Sequence, residues 1–381
     1  MYLDTQCLPS LSQKLRYQEY SFIMNKFPVP VSLQKSIENT KIDYVRVGSS
    51  GLRVSSPILG AMSLGSDKWM PWVLDEEKSL EILKAAYDRG VNTWDTANAY
   101  SNGISEEVIG KALQKFSIPR EKVVILTKCF LHVAEDPGVF TAPFGGIINQ
   151  SKDYVNQGGL SRSAIFNAVE ASLRRLGTGY IDLLQIHRFD PSTPIEETMK
   201  ALHDLVQTGK VRYVGASSMW ATQFVRMQAV AERNGWTKFI SMQNLYNLCY
   251  REEEREMIRY CNDTGVGILP YSPHFGGKLA RPLGQNDSIR AKTPGPISLD
   301  LRPDEEEIIR RVEKLAAEKG WKMSNVNLAW HHTKGTIPIV GFNSIARIDE
   351  ACDARGKTLT AEEVKFLEDP YIPKPVFGLF D

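Results

Sequence analysis

The chain has 381 residues, 42% of them apolar, enough to bury one barrel-sized core or two smaller ones. Its 46 lysines and arginines nearly cancel its 45 aspartates and glutamates, which excludes the charge excess of a nucleic-acid binder or a protein held on an anionic membrane. Five scattered cysteines (Cys7, Cys129, Cys249, Cys261 and Cys352) without a CxxC pair argue against a disulfide framework or a zinc site, and point to a reducing, cytoplasmic setting.

Residues 1–43 show no clear periodicity, no continuous apolar run of a secretory signal and no Arg-rich, acid-poor transit composition. They read as an extension, partly disordered or strapped to the surface. No run anywhere approaches the ~20 apolar residues of a membrane span.

From Tyr44 the pattern becomes regular, and residues 44–381 read as one domain. "YVRVGSSGLRVS" predicts a β-hairpin around a Gly-Ser-Ser-Gly turn. Eight short β-prone runs follow: Pro57–Gly60, Thr93–Asp95, Val123–Lys128, Ile181–His187, Val211–Ser217, Phe239–Asn244, Ile268–Tyr271 and Ile337–Val340. Helix-period segments lie between them, among them Glu76–Arg89, Ser163–Leu176, Ile195–Thr208, Thr222–Asn234, Glu252–Thr264 and Glu305–Lys319. Eight strands alternating with helices predict an α/β fold, a closed (β/α)8 TIM barrel entered by an N-terminal hairpin. The long intervals Phe130–Leu160 and Pro273–Pro303, rich in Gly, Pro and Asn, should emerge at the C-terminal face as lids or substrate walls.

The strand ends carry the chemistry. In order they read Asp95, Lys128, His187, Ser217 with Ser218, Gln243 with Asn244, and Tyr271. Any one of these is as easily a strand terminus or a helix cap. Six in succession, converging on the face where barrels build active sites, are hard to assign to chance. Tyr100 follows Asp95 by five residues. A free phenol titrates near ~10, too high for efficient proton exchange at neutral pH, and an adjacent ammonium lowers that value. Asp95 would keep the Lys128 ammonium charged, and His187 would hydrogen-bond a carbonyl oxygen. Such a site protonates oxygen while a cofactor delivers hydride to carbon, because no amino acid supplies hydride.

No GxGxxG follows a strand, and there is no Walker A sequence, no HExxH and no tyrosine with a lysine four residues on. A nicotinamide would lie across the barrel mouth, its carboxamide gripped by Ser217, Ser218 and Gln243. Tyr271 is either its ring platform or ordinary packing at the barrel top. Trp69, Trp72, Phe130, His132, Phe140, Phe144 and Trp220 fall in loops that should face the mouth. They either line a pocket suited to a flat aromatic aldehyde or polyketide carbonyl, or pack beneath the loops.

"NTWDTANAYSNGISEEVIGKAL", "VVILTKC" and "YIDLLQIHRFDPSTPIEETMKALHDLVQTGKVRYVGASS" resemble the aldo-keto reductase superfamily, from about Tyr44 to the C-terminus. Within it, the tryptophan-rich first loop and the ending "LTAEEVKFLEDPYIPKPVFGLFD" look most like fungal aryl-alcohol dehydrogenase and versiconal hemiacetal acetate reductase-type members. The resemblance implies a (β/α)8 fold that binds NADPH/NADP+ and reduces a small-molecule carbonyl with the tetrad Asp95, Tyr100, Lys128 and His187. It implies nicotinamide contacts from Ser217, Gln243 and Tyr271, and a pyrophosphate-side loop of Tyr271, Ser272 and Pro273 with Lys278. It also implies a 2′-phosphate clamp of Gly341, Asn343, Arg347 and Glu350 within "VGFNSIARIDEA". Phe342 and Ala351 stand where that clamp often carries a lysine and an asparagine, so selectivity for NADPH rests mainly on Arg347. No metal is implied. A monomer or small homo-oligomer suits the fold. A rival reading is a nucleotide-binding regulatory protein like the potassium-channel β-subunits, which keep the same tetrad.

Overall fold

A computed structural model describes residues 29–285, 289–293 and 301–379. The chain divides into two compact units, Met1–Lys41 and Ile42–Asp381. In the first, Val31–Asn39 is a helix with no buried residue, following Pro30 and braced by Gln34 donating to Glu38 one turn on. The sequence offered no helical repeat there, and residues 1–28 of the expected extension lie outside the described residues. Ile42, at the head of the second unit, is buried in its core.

That second unit opens with the predicted hairpin, β1 (Asp43–Arg46) antiparallel to β2 (Arg53–Ser56). Eight parallel strands follow: β3 (Ile58–Gly60), β4 (Thr93–Asp95), β5 (Val124–Cys129), β6 (Ile181–Ile186), β7 (Val211–Ser217), β8 (Ser241–Gln243), β9 (Gly267–Ile268) and β10 (Ile339–Val340). They pair in the order β10-β3-β4-β5-β6-β7-β8-β9. Two backbone bonds join the outer pair, Ile337 N–H to Ile268 O at 2.9 Å and Ile339 N–H to Pro270 O at 2.8 Å. The sheet is therefore closed, as the eightfold alternation predicts. β9 is shorter than expected, because Tyr271 meets only Leu245, in an isolated bridge.

The hairpin plugs the barrel floor. Val47 and Val54 join Ile58, Leu126, Leu183, Leu269, Ile337 and Ile339 in one buried cluster. A larger apolar layer lies between strands and helices, with Trp94, Val169, Leu202 and Phe224 fully buried. Fully burying each such side chain contributes about 1.5–3 kcal/mol. Two of the helices that follow strands start on side-chain caps. Asp75 accepts from Lys78 N–H before Glu76–Asp88, and Ser161 caps Arg162–Leu176, which ends on Gly177 in the left-handed region.

The interval after β5 folds back on itself. Asn102 holds it from the neighbouring loop, donating to Val139 O at 2.7 Å and accepting from Ala134 N–H at 3.0 Å. The His132 ring lies so close to Gly158 that any side chain there would collide with it. The interval after β9 contains a 3-10 stretch, Phe275–Ala280, and one helical turn, Ile289–Lys292.

Candidate active site

Register sets the floor of the site. Asp95 ends β4 opposite Leu126, and Lys128 lies two residues further up β5, opposite Gln185 of β6. The Lys128 ammonium donates to Asp95 Oδ2 at 2.6 Å and to Thr96 O at 2.9 Å, both side chains being almost wholly buried. The other Asp95 oxygen accepts from Gln185 Nε2 at 3.0 Å and Gln243 Nε2 at 2.9 Å. A buried carboxylate with a cation and two amide donors is fully satisfied, and it cannot swing away from the lysine.

Tyr100 comes over this pair from the loop after β4, its hydroxyl 3.3 Å from Lys128 Nζ. The backbone that presents it is unusual. Ser101 and Asn102 both adopt left-handed φ, as do Ser218, Ser272 and Phe275 after later strands. Non-glycine residues in that region cluster at functional rims, where surrounding structure holds the strain.

The Tyr100 phenol does not titrate where the sequence predicts. Burial raises it above the ordinary tyrosine value, and Lys128, pulling downward, does not offset that. Asp95, a smaller influence than either, raises the phenol further. Burial also works against the Lys128 ammonium, but Asp95 and Tyr100 together lift it above the usual lysine value.

His187 follows β6 and meets the Tyr100 ring edge-on at 5.8 Å between centroids. Burial, then Arg188 and Lys128, push it well below the ordinary imidazole range, so it is neutral near pH 7. Its Nδ1 is buried without a hydrogen-bond partner among the described residues. A neutral imidazole with an unsatisfied nitrogen beside a protonated phenol suits a polar ligand atom between them. All four tetrad residues are thus brought together.

The rim beyond His187 is the predicted serine and glutamine face. Ser217 Oγ donates to Gln243 O at 2.7 Å and lies 3.3 Å from Ser218 Oγ, which reaches Tyr271 OH at 3.5 Å. Gln243 has its amide nitrogen on Asp95 and on Gln185 Oε1, which leaves its own Oε1 for a ligand. Ser272 O accepts from Asn247, Pro273 is buried, and the Lys278 ammonium lies 5.2 Å over the Phe275 ring. Further round, Gly341 and Asn343 are exposed before the helix Ile345–Cys352, whose start has no side-chain cap. Both Glu350 oxygens accept from Arg347 Nη1 at 2.9 and 3.0 Å, and Glu350 accepts from Ser324 as well. This cation, buried rim amides and exposed helix start fit a dinucleotide with a phosphate at its far end.

The aromatic residues divide. Trp69 touches Tyr100 (6.3 Å) and Phe140 (5.7 Å), forming a wall above the phenol. Trp72 lies beneath the Arg290 guanidinium at 4.5 Å. Phe130 packs on the apolar layer, and His132 bonds Asn149 at 3.0 Å to tie its own loop. Phe144 and Trp220 are exposed, Trp220 at the start of the helix Ala221–Arg233. Gln185 was missed in the sequence, although a lone amide within the apolar run "IDLLQIH" is a signal for an inward polar group. Arg188 and Arg290, which both act electrostatically on Tyr100, carry no such pattern. Among the described residues no group of three or more His, Cys, Asp or Glu side chains could hold a metal, and no helix is long and apolar enough to cross a membrane.

The model of the aldo/keto reductase family matches residues 58–371. An aldo-keto reductase of Fusarium vanettenii is 57% identical over 357 residues, 92% of this chain and 96% of that one. The versiconal hemiacetal acetate reductase of Aspergillus parasiticus is 52% identical, covering 88% and 98%. A putative aryl-alcohol dehydrogenase of Saccharomyces cerevisiae is 48% identical, covering 87% and 98%.

Proposed function

Because the chain belongs to the aldo/keto reductase family, oxidoreductases that use NAD(P)H on small carbonyl compounds, we propose that it reduces an aromatic or polyketide-like aldehyde or ketone with NADPH, Tyr100 acting as general acid. The observation that carries this reading is the buried chain Asp95–Lys128–Tyr100, closed at 2.6 and 3.3 Å beside a neutral His187.

Ser217, Ser218 and Gln243 would hold the nicotinamide carboxamide, with Tyr271 against the ring. Ser272, Pro273 and Lys278 would lie along the pyrophosphate. Gly341, Asn343, Arg347 and Glu350 would surround the 2′-phosphate, with Arg347 turning from its carboxylate partner toward the ligand. Held by these residues, the reduced cofactor would supply the hydride that the carbonyl carbon takes up.

The protein's part is the proton and the position. Tyr100, kept protonated by burial, gives its proton to the carbonyl oxygen as negative charge develops there. His187 hydrogen-bonds the same oxygen and fixes the plane of attack. The Lys128 ammonium stabilises the phenolate that remains, and Asp95 prevents that ammonium from leaving its place. Trp69 and Phe140 exclude water and offer a flat surface to an aromatic substrate.

Steady-state NADPH oxidation over a panel of aryl aldehydes and ketones tests the reading. Turnover with aromatic members is expected. Tight NADPH binding without turnover of any carbonyl would favour a nucleotide-binding regulatory protein, and no NADPH binding would end the proposal.

A further inference from the structure

Glu253 lies in the one-turn helix Glu252–Glu254, nine residues beyond Asn244 at the end of β8. Its neighbours are ordinary ion-pair partners, Glu252 with Arg255 at 2.6 Å and Glu254 with Arg251 at 2.7 Å. Glu253, buried like Glu252, differs from both in having no cation within ion-pair distance among the described residues. Its carboxylate accepts from Asn244 Nδ2. The other end of that amide, Asn244 Oδ1, accepts from the Ser218 N–H at 3.0 Å. Ser218 is the left-handed residue (φ 45°) at the tip of β7, and its hydroxyl faces Tyr271.

An asparagine amide has a donor end and an acceptor end, and only one orientation places oxygen on the Ser218 N–H. An ionised carboxylate can only accept, so it selects that orientation. A protonated one can accept or donate, so it no longer selects, and in the turned orientation the NH2 meets the Ser218 N–H, donor against donor.

We propose that Glu253 is a positioning residue: through Asn244 it holds the left-handed turn at Ser218 in the shape that grips the nicotinamide carboxamide. This rests on reading the β7–β8 rim as that grip. Burial, opposed by the Asn244 bond and reinforced by Glu252, pushes Glu253 up to about 7. The titratable groups that interact with it are Glu252, Tyr250 and Cys261. Glu252 is held below the usual carboxylate range by its partners despite burial, while Tyr250 and Cys261 are pushed up to about 12. Near neutrality, Glu253 alone of this group changes charge. The carboxylate form above that range keeps the relay intact, and protonation below it releases the relay.

The test is NADPH binding by fluorescence titration from about pH 6 to about pH 8.5, in wild type, Glu253→Gln and Glu253→Ala. The cofactor phosphate titrates equally in all three, so only differences between proteins count. Glu253→Gln carries an acceptor and a donor end as the protonated carboxyl does, so its affinity should stay at the wild type's low-pH level at every pH. It should therefore lack the extra loss, about two- to tenfold, that wild type suffers on acidification. Glu253→Ala should be weaker at every pH. Superimposable profiles for wild type and Glu253→Gln, or full affinity in Glu253→Ala, would overturn the proposal alone. No NADPH binding by wild type at any pH would overturn the functional reading and this proposal with it.

Discussion

Tyr100 is governed by two opposed influences, and burial is the larger. The phenol therefore remains a proton donor well into the alkaline range, and the reductive rate should stay level beyond about pH 9 instead of falling on a limb below the free-tyrosine value. His187, already neutral, should add no limb near the usual imidazole value. A pH profile of kcat for reduction checks both statements, and a decline beginning near pH 7 to 8 would contradict them. Tyr100→Phe removes only the phenolic proton, so turnover should fall about 10²- to 10⁴-fold while NADPH still binds. Near wild-type turnover in that variant would remove Tyr100 from the mechanism. Lys128→Met should be as slow and also less stable, since it leaves Asp95 buried without its cation, a loss of about 3–5 kcal/mol that urea unfolding would register. That Asp95, Tyr100, Lys128 and His187 would come together was legible because each follows closely on a strand. The direction of the Tyr100 shift was not legible, because burial is decided by Trp69, His187 and the folded loop above them, none adjacent in sequence.

At the scale of elements, the strands and amphipathic helices followed the sequence pattern to within a few residues. The helix Met323–Thr333 did not show itself, and the reason is physical. Met323 through His331 are all buried, so no polar face recurs to reveal a helical period. The hairpin was legible through its turn, and Gly48 shows why that turn is tight. At φ 55° it lies against the Gly265 carbonyl, which a Cβ would overlap. Gly48→Ala should therefore loosen the barrel floor by about 1–3 kcal/mol, read as a lower denaturation midpoint with activity per folded molecule unchanged. The helix Ile345–Cys352 supports a different prediction. On the proposed reading its uncapped start and the Arg347 guanidinium, now bonded to Glu350, would meet the 2′-phosphate. Arg347→Ala should weaken NADPH binding about ten- to a hundredfold and leave NADH nearly unaffected. Equal losses for the two cofactors in parallel fluorescence titrations would mean that Arg347 does not read the phosphate.

For the whole molecule, the histidines set the response to acid. The chain has six, and His132, His187, His274, His331 and His332 all lie below the ordinary imidazole value, with burial the first cause in each. His274, next to Arg347 in electrostatic reach, is pushed down to about 4. In the unfolded chain these rings titrate near ~6.5. Below that value the unfolded state binds protons that the native state refuses, so stability rises with pH there and falls as the solution is acidified. Glu253 acts in the opposite sense: its native value of about 7 lies above the unfolded carboxylate, so protonation between those values favours the fold. One such group stands against five. The melting temperature should therefore fall between about pH 7 and pH 5, well before the surface carboxylates titrate. If NADPH is the cofactor, as proposed, saturating it should recover part of the loss, since a ligand that binds the native state alone at a hundredfold excess over Kd contributes about 2.7 kcal/mol. Calorimetric scans across that range, with and without cofactor, decide the matter. A melting temperature that stays level or rises on acidification would mean that the buried imidazoles accept protons in the native barrel, and that its interior around His187 and His274 is open to water.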